Sequence, residues 1–326
     1  MNLFIDDYGA RLELEGGMLK ISLGETVHKL SFVKLHSINI MKAVSVTTPV
    51  LVEAARHQVP VLLYGNNGKV EVWLWSHKYG NIATLRKQQA YFADSPESLR
   101  WMGSLLASKV KHQAQNLRWL ADRLPSVGAE LQAAVTRMDS AVGQMEVCED
   151  PDRLRGLEGM SSRRYWACIA RALGRHLEFE GRRQRAPRDV FNACLNYLYG
   201  ILYGQTEASL VIAGLDPYMG IYHAIRHDKP TLAYDLIEPF RPWADRMLLE
   251  LVLRKKISGA ELAEGQTKLG KASIRLLIGC YFDRMNQRSL LNRKKIRKSD
   301  HIHYHSRQLA KTIMQFDGLA NGHVRH

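Results

Sequence analysis

The chain has 326 residues, of which 46% are hydrophobic, so it is long enough for two domains with ordinary cores and shows no disordered or fibrous composition. Its 46 Lys and Arg outnumber its 32 Asp and Glu, and the formal net charge is +14. This charge favours a polyanionic partner, nucleic acid first and an acidic membrane second; a solvated basic surface without a partner is the alternative.

The four cysteines form no C-x-x-C pair, which excludes a zinc ribbon or thioredoxin-like motif and predicts reduced, buried thiols. Asp6 and Asp7 occupy the place where a signal peptide would need an apolar stretch. No apolar run approaches the roughly 18 residues of a membrane span. We therefore expect a soluble cytoplasmic protein with no membrane partner.

The first 80 residues show the period-two pattern of half-buried antiparallel strands. Leu12 and Leu14 alternate with charged residues, Gly16-Gly17 predicts a turn, and the alternation resumes over 19–23. Thr48-Pro49 predicts the N-cap and first turn of a short helix. A strand over 59–64 is then joined to another over 70–75 by the hairpin signal Asn66-Asn67-Gly68.

From about residue 82 the apolar spacing becomes helical. Ser95-Pro96-Glu97 predicts a helix start, and most of the chain to about residue 290 has the pattern of helices. The predicted fold is therefore α+β, with a small β-rich domain (1–80) followed by a larger all-α domain (81–300). Residues 301–326 are interpreted as a mobile basic tail; the alternating His301, His303 and His305 leave a metal-binding tract as the less favoured alternative.

The charge lies almost entirely outside the β-rich region. Residues 1–80 hold eight Lys and Arg against seven Asp and Glu, whereas 153–188 hold ten Arg against three Glu. Residues 284–298 carry seven Lys and Arg and no acid. The helical region should therefore contact the polyanion, and the β-rich region is expected to act as a scaffold or assembly surface.

Four acidic or imidazole residues, in three segments of this basic region, could bind a metal. Glu158 lies among arginines, either as a surface carboxylate paired with them or as a metal ligand that arginine-bound phosphate can approach. His223 follows the tight connection at Asp216-Pro217, either as a structural histidine or as a neutral ligand. Asp235 and Glu238, three residues apart, would share a helix face and repel each other unless a cation or proton lies between them; two exposed acids at a helix end are the alternative.

A histidine with carboxylates suits Mg²⁺ or Mn²⁺, and such an ion supplies what phosphodiester hydrolysis or transesterification needs. A polar stripe on the predicted helix after Asp189 includes Asn192 and Asn196. These side chains would either orient the ligands or form a structural hydrogen-bond network.

Four segments in order resemble the CRISPR-associated spacer-acquisition integrase family, the "Cas-one" endonucleases. They are 157–165, 189–203, 215–223 and 229–242, and the order and spacing match, including Lys229 six residues after His223. Residues 46–49, 59–63 and 80–81 are similar to the β domain of that family. Ser161-Ser162 stand where relatives commonly have small apolar residues, so DNA contacts there are expected to differ.

The resemblance implies that Glu158, His223 and Glu238 bind Mg²⁺ or Mn²⁺ and carry the catalysis. Asp235 matches a second acid of the family motif and would support the site. Asn192, Asn196 and Tyr165 are further candidates for supporting residues. The sequence does not single out the residues that contact double-stranded DNA, but Arg163, Arg164, Lys229 and Arg241 are candidates because they lie close in sequence to the acids. The resemblance also implies a homodimer, formed in part through the β-rich domain, that works with a small ferredoxin-like partner protein. In that family a DNA 3′-hydroxyl attacks a phosphodiester at the ends of the CRISPR repeat, which inserts a short DNA segment into the array.

Two other functions use parts of the same pattern. A repair nuclease for branched DNA would share the metal ligands, so the choice of an integrase rests on the family resemblance alone. An architectural DNA-binding protein would share the basic surface but would have no use for acids inside it.

Overall fold

The computed structural model describes residues 2–65, 70–74, 76, 82–174, 176–184, 187–223, 229–257 and 269–316. A β-rich N-terminal region is followed by a helical region, which confirms the predicted α+β class. None of the helices in these ranges combines the length and apolar character needed to cross a membrane.

The strands of the N-terminal region form two four-stranded sheets, with orders β1-β5-β7-β8 and β4-β3-β2-β6. Their bounds are β1 (Asn2–Ile5), β2 (Arg11–Glu15), β3 (Met18–Leu23), β4 (Thr26–Leu30), β5 (Ser37–Ile40), β6 (Ser45–Val46), β7 (Val61–Tyr64) and β8 (Val70–Leu74). Helix α1 (Thr48–Arg56) lies between β6 and β7, and its N-cap is Thr47, one residue earlier than the sequence predicted.

The predicted turn at Gly16-Gly17 joins β2 and β3 as a two-residue hairpin. Glu15 pairs with Met18, and the two glycines adopt φ values of 60° and 74°. Both values lie in the left-handed region that a type I′ hairpin turn requires and that glycine enters without steric cost.

The expectation of antiparallel strands was wrong for most of the first sheet and for the parallel β2–β6 pair of the second sheet. β1 pairs with β5 and β5 pairs with β7 in parallel, and only β8 runs antiparallel, beside β7. Parallel neighbours need long crossover connections, and these are supplied by the β2–β4 meander and by α1. All four residues of β5 are buried, as expected of a parallel strand covered on both faces.

Strand β7 separates two hydrophobic cores. Val61 packs with Leu12, Leu19 and Phe32 in the core between the sheets. Leu62, which points to the opposite face, belongs to the large core of the helical region. The β-rich region is therefore packed directly onto the helices rather than held by a linker alone.

The helical region is built from long helices around one core. The helices are α2 (Ile82–Ala93), α3 (Pro96–Ala121), α4 (Pro125–Glu146), α5 (Pro151–Leu173), α6 (Val190–Ile212), α7 (Thr231–Leu236), α8 (Arg241–Leu253), α9 (Lys271–Asn286) and α10 (Lys298–Gln315). A hairpin of β9 (Arg288–Leu291) and β10 (Lys294–Arg297) joins α9 to α10.

The prediction of a mobile tail from residue 301 was wrong over the described residues. Helix α10 runs to Gln315, and Ile302, Leu309 and Ile313 are buried in the helical core. His303 and Ser306 also meet Ser209 of α6 through hydrogen bonds of 3.1 and 2.8 Å. Residues 317–326 lie outside the described part of the chain.

The cysteine prediction holds in part. Cys148, Cys168 and Cys194 are buried free thiols, whereas Cys280 is only half-buried.

Candidate metal and nucleic-acid site

Glu158 lies on α5, two turns from a well-capped N-terminus. The Asp150 carboxylate accepts hydrogen bonds from the amides of Asp152 and Arg153, at 2.9 and 3.3 Å, which satisfies donors that the first helical turn leaves free. The Glu158 side chain is 25% exposed. Its Oε1 accepts hydrogen bonds from Lys109 Nζ at 2.6 Å and from Ser162 Oγ at 2.7 Å.

Glu238 also contacts Lys109, from a different part of the chain. It begins a 3₁₀ turn between α7 and α8, and its side chain is only 4% exposed. Oε2 lies 2.6 Å from Lys109 Nζ, and Oε1 lies 3.1 Å from Arg241 Nη2. Burial alone would raise the pKa of Glu238, but Arg241 and Lys109 together lower it to about 2, so the carboxylate is ionised.

Lys109 therefore joins two of the three predicted metal ligands, Glu158 and Glu238. It lies on α3, and its side chain is 8% exposed. Burial by itself would lower the pKa of Lys109, but the carboxylates of Glu238 and Glu158 raise it, so the amine stays protonated. One buried ammonium thus forms ion pairs with carboxylates that are 80 residues apart in the sequence.

His223 is oriented by Asp235, which is fully buried. The Asp235 carboxylate accepts hydrogen bonds from the amides of Ile221, Tyr222 and His223 at 2.7, 3.1 and 3.0 Å. His223 Nδ1 lies 2.6 Å from Asp235 Oδ1. Because a carboxylate only accepts hydrogen bonds, Nδ1 carries the proton and Nε2 is the nitrogen that could bind a metal.

The predicted ligands are chemically suited to a divalent cation, but their side chains do not converge on one point. Among the described residues, no three His, Cys, Asp or Glu side chains converge closely enough to hold one ion. Glu158 and Glu238 already share a cation, the Lys109 ammonium. Two carboxylates and an imidazole held by a third carboxylate are a donor set suited to Mg²⁺ or Mn²⁺.

A cleft of about 440 Å³ opens beside Glu158. It combines cations with aromatic rings, and its lining includes Lys109, Arg163, Trp166, Arg182, Tyr199 and Arg241. Guanidinium groups match phosphate oxygens, and rings offer stacking surfaces to bases. Beside Glu158 the cleft therefore presents the kinds of groups that bind a nucleotide backbone.

The predicted supporting residue Asn192 holds one wall of this cleft and forms no hydrogen bond with Glu158 or Glu238. It is fully buried at the start of α6. Its Oδ1 accepts hydrogen bonds from Arg182 Nη1 at 3.0 Å and from the Arg183 amide at 2.8 Å, and its Nδ2 donates to the Gly181 carbonyl at 2.9 Å. Asn196 donates to the carbonyl of Gln184 at 3.2 Å. Both asparagines thus fix the segment that carries Arg182, which corresponds to the structural-network alternative.

The other predicted residues are dispersed. Tyr165 is buried and donates a hydrogen bond to Asp245 at 3.1 Å, below the cleft. Arg163 and Arg241 line the cleft, whereas Arg164 does not. Arg241 is largely buried, over the rings of Tyr199 and Tyr203. Lys229 immediately precedes Pro230, the N-cap of α7, and is not among the cleft residues.

The sequence interpretation missed Lys109 and Arg182. A signal for Lys109 was available, because it interrupts the apolar stripe of α3 between Leu106 and Val110, and a lysine at a buried helical position needs an ionic partner. Arg182 gave no such signal, since it is one of many arginines in 153–188 and only the folded segment brings it to the cleft.

Solved structures of other proteins have a fold similar to that of this chain. A casposase bound to integration product has a TM-score of 0.76 at 20% identity, covering 97% of this chain and 91% of that chain. A CAS1 protein from Thermotoga maritima has a TM-score of 0.71 at 17% identity, covering 97% of this chain and 98% of that chain. At these identities the likeness concerns the fold: a β-rich N-terminal region packed on a helical region.

The chain belongs to the family of CRISPR associated protein Cas1, whose family model matches residues 3–281. A CRISPR-associated endonuclease Cas1 of Thermus thermophilus is 32% identical over 289 residues, which is 87% of each chain. One of Archaeoglobus fulgidus is 26% identical over 329 residues, or 95% of each chain. The family resemblance seen in the sequence is confirmed.

Proposed function

We propose that this protein is a Mg²⁺- or Mn²⁺-dependent DNA integrase and endonuclease that inserts short DNA segments into a CRISPR array. The observation that carries the proposal is the meeting of Glu158 and Glu238 at one buried cation beside a cleft rich in arginine. Two carboxylates that lie together beside an arginine-rich cleft are oxygen ligands that a divalent ion could bind while the arginines contact a phosphodiester. The names of the relatives, endonucleases and a casposase bound to integration product, support the same activity.

Each residue has a distinct task in this proposal. Glu158, Glu238 and His223 Nε2 would hold the ion, which supplies Lewis-acid polarisation of a phosphodiester when bound. Asp235 fixes the imidazole in the orientation that leaves Nε2 free. Arg163, Arg182 and Arg241 would neutralise the DNA backbone in the cleft.

The reaction proposed is a transesterification. The 3′-hydroxyl oxygen of the incoming DNA forms a bond to phosphorus, and the bond from that phosphorus to the 3′ oxygen of the target strand breaks. The departing oxygen takes up a proton, so the number of phosphodiester bonds is unchanged. Water in place of the hydroxyl gives endonuclease cleavage.

Assembly is part of the proposal. A Cas6-RT-Cas1–Cas2 complex contains a chain of which part has a similar fold, with a TM-score of 0.74 at 21% identity, covering 97% of this chain and 35% of that chain. We extend this to a homodimer formed in part through the β-rich region of residues 1–80, with a small ferredoxin-like partner protein, acting on double-stranded DNA in the cytoplasm.

The test uses the full-length protein, Mn²⁺, a short duplex with free 3′-hydroxyls and a plasmid carrying a CRISPR repeat. Glu158→Gln, His223→Ala and Glu238→Gln should each lower strand joining by about a thousandfold or more, because several kcal/mol of charge stabilisation are lost. DNA binding should persist. Glu146→Gln is the matched control, since Glu146 is an exposed partner of Lys111 on another helix. Joining that persists in all three variants would overturn the assignment.

The same assay separates the alternative functions. Cleavage of branched DNA without strand joining would indicate a repair nuclease. Tight DNA binding with neither cleavage nor joining in any divalent metal would indicate an architectural protein.

A further inference from the structure

Lys109 is the least expected member of the site, because a buried lysine lies between two residues proposed as metal ligands. Its Nζ is 2.6 Å from Glu158 Oε1 and 2.6 Å from Glu238 Oε2. The α3 neighbours Leu106 and Val110 are buried apolar residues. An ammonium group in such surroundings depends on its ionic partners, and the carboxylates depend equally on it.

The contacts of Lys109 compete with those of a metal ion. The carboxylate oxygens that lie against its ammonium, Glu158 Oε1 and Glu238 Oε2, belong to the two carboxylates that a divalent ion would need. An ammonium and a divalent cation bound to the same oxygens would repel each other strongly in a buried site. Lys109 and the metal therefore exclude each other at this position.

We infer that Lys109 is the built-in counter-ion of the metal site, which holds Glu158 and Glu238 together in the metal-free protein and moves into the cleft when a divalent ion binds. The inference rests on the proposed metal-dependent function. Lys109 already lines the cleft with Arg163 and Arg182, so the displaced ammonium has an open path toward a bound phosphate. Metal binding would thereby add one cation to the DNA-binding surface.

The alternative is a permanent structural ion pair, with the metal bound elsewhere or not at all. Mn²⁺ titrations of metal-free protein distinguish the two, with binding measured by calorimetry and by the rise in melting temperature. Lys109→Met removes the competing charge but keeps an unbranched side chain of similar length. Lys111→Met is the matched control, because Lys111 lies on the same helix, is exposed and pairs with Glu146.

We expect Lys109→Met to bind Mn²⁺ at least about tenfold more tightly than the wild type, since no buried ion pair has to be broken first. Its melting temperature should be lower without metal and should rise more on Mn²⁺ addition. Lys111→Met should match the wild type in both respects. Equal or weaker Mn²⁺ binding by Lys109→Met would overturn the inference.

A second measurement uses only the wild-type protein and does not depend on the folding of a variant. Acetylation of each lysine by an amine-reactive reagent is quantified by mass spectrometry, with and without Mn²⁺. Lys109, whose side chain is 8% exposed, should be modified slowly without metal and several-fold faster with it. Lys111, at 53% exposure, serves as the internal standard. No change at Lys109 despite measured Mn²⁺ binding would overturn the inference.

The outcomes separate this inference from the proposed function. Equal Mn²⁺ affinity in the wild type and Lys109→Met, with metal-dependent joining intact, refutes only the counter-ion role. No Mn²⁺ binding in either protein refutes both.

Discussion

Asp245 is a buried carboxyl group next to the cleft residue Tyr199, and its protonation affects the free energy of unfolding. Asp245 is 1% exposed and accepts hydrogen bonds from the hydroxyls of Tyr199 at 2.5 Å and Tyr165 at 3.1 Å. Burial raises its pKa from 3.8 to about 6, although the two tyrosines, Arg182 and Arg241 oppose the shift. The fold thus maintains a carboxyl group that is only partly stabilised in its ionised form.

This carboxyl gives a pH-dependent prediction. Because the pKa of Asp245 is higher in the folded protein, its contribution to stability is present below pH 3.8 and is lost as the pH rises through about 6. The wild type should lose about 2 kcal/mol of unfolding free energy from this group between pH 4 and pH 7. In Asp245→Asn that loss should disappear, so the variant should gain stability relative to the wild type as the pH rises. Denaturant unfolding at several pH values measures the difference.

A difference between the two proteins that does not change with pH would contradict the prediction. Lys111→Met, which alters an exposed charge far from Asp245, should follow the wild-type pH dependence within error.

Among the elements, α10 departs furthest from what its sequence led us to expect. Its three histidines and basic character favoured a mobile tail, yet Ile302, Leu309 and Ile313 recur at helical spacing and are buried. The histidines are part of the packing: His305 lies 5.6 Å from the Phe240 ring, and His303 meets Ser209. The helical spacing of these apolar residues predicts a packed helix, whereas the basic, histidine-rich composition favours a tail. The spacing decides the structure because the helix buries its apolar face against the core.

Helix α10 should therefore contribute to global stability. Leu309 is fully buried, so Leu309→Ala should lower the unfolding free energy by about 2–5 kcal/mol through lost apolar contacts and a residual cavity. Met314→Ala on the same helix is the control; Met314 is 40% exposed, and its change should stay within about 0.5 kcal/mol. Denaturant unfolding checks both variants. An unchanged Leu309→Ala protein would restore the tail interpretation.

At the scale of the whole molecule, the sequence predicted a β-rich region followed by a helical region. It did not predict how the strands pair or how the two regions pack together. Alternation of apolar residues and the Gly16-Gly17 turn were enough to predict the β2–β3 hairpin, because hairpins depend on local residues. The parallel pairing of β1, β5 and β7 was not predictable in this way, since it depends on which distant segments meet. The sequence also did not predict how closely the two regions approach each other. At Gly204 of α6 the contact with β8 is so close that an added Cβ would lie only 2.2 Å from Val70 Cγ2.

The site shows the same division. Glu158, His223, Asp235 and Glu238 could be selected from residue type, basic surroundings and family resemblance. Their arrangement could not, because it depends on α3, which brings Lys109 between two acids from other helices. The buried role of Asn192 also follows from the 181–184 segment folding back onto α6.

In the proposed mechanism, Glu158, His223 and Glu238 form one divalent-metal site once the Lys109 ammonium has moved away from the two glutamates. Anomalous diffraction from crystals of the full-length protein grown with Mn²⁺ would locate the metal. We expect a manganese peak bound by both carboxylates and by His223 Nε2, with Lys109 turned into the cleft. A peak elsewhere, or none while Lys109 still bridges Glu158 and Glu238 at saturating Mn²⁺, would contradict it.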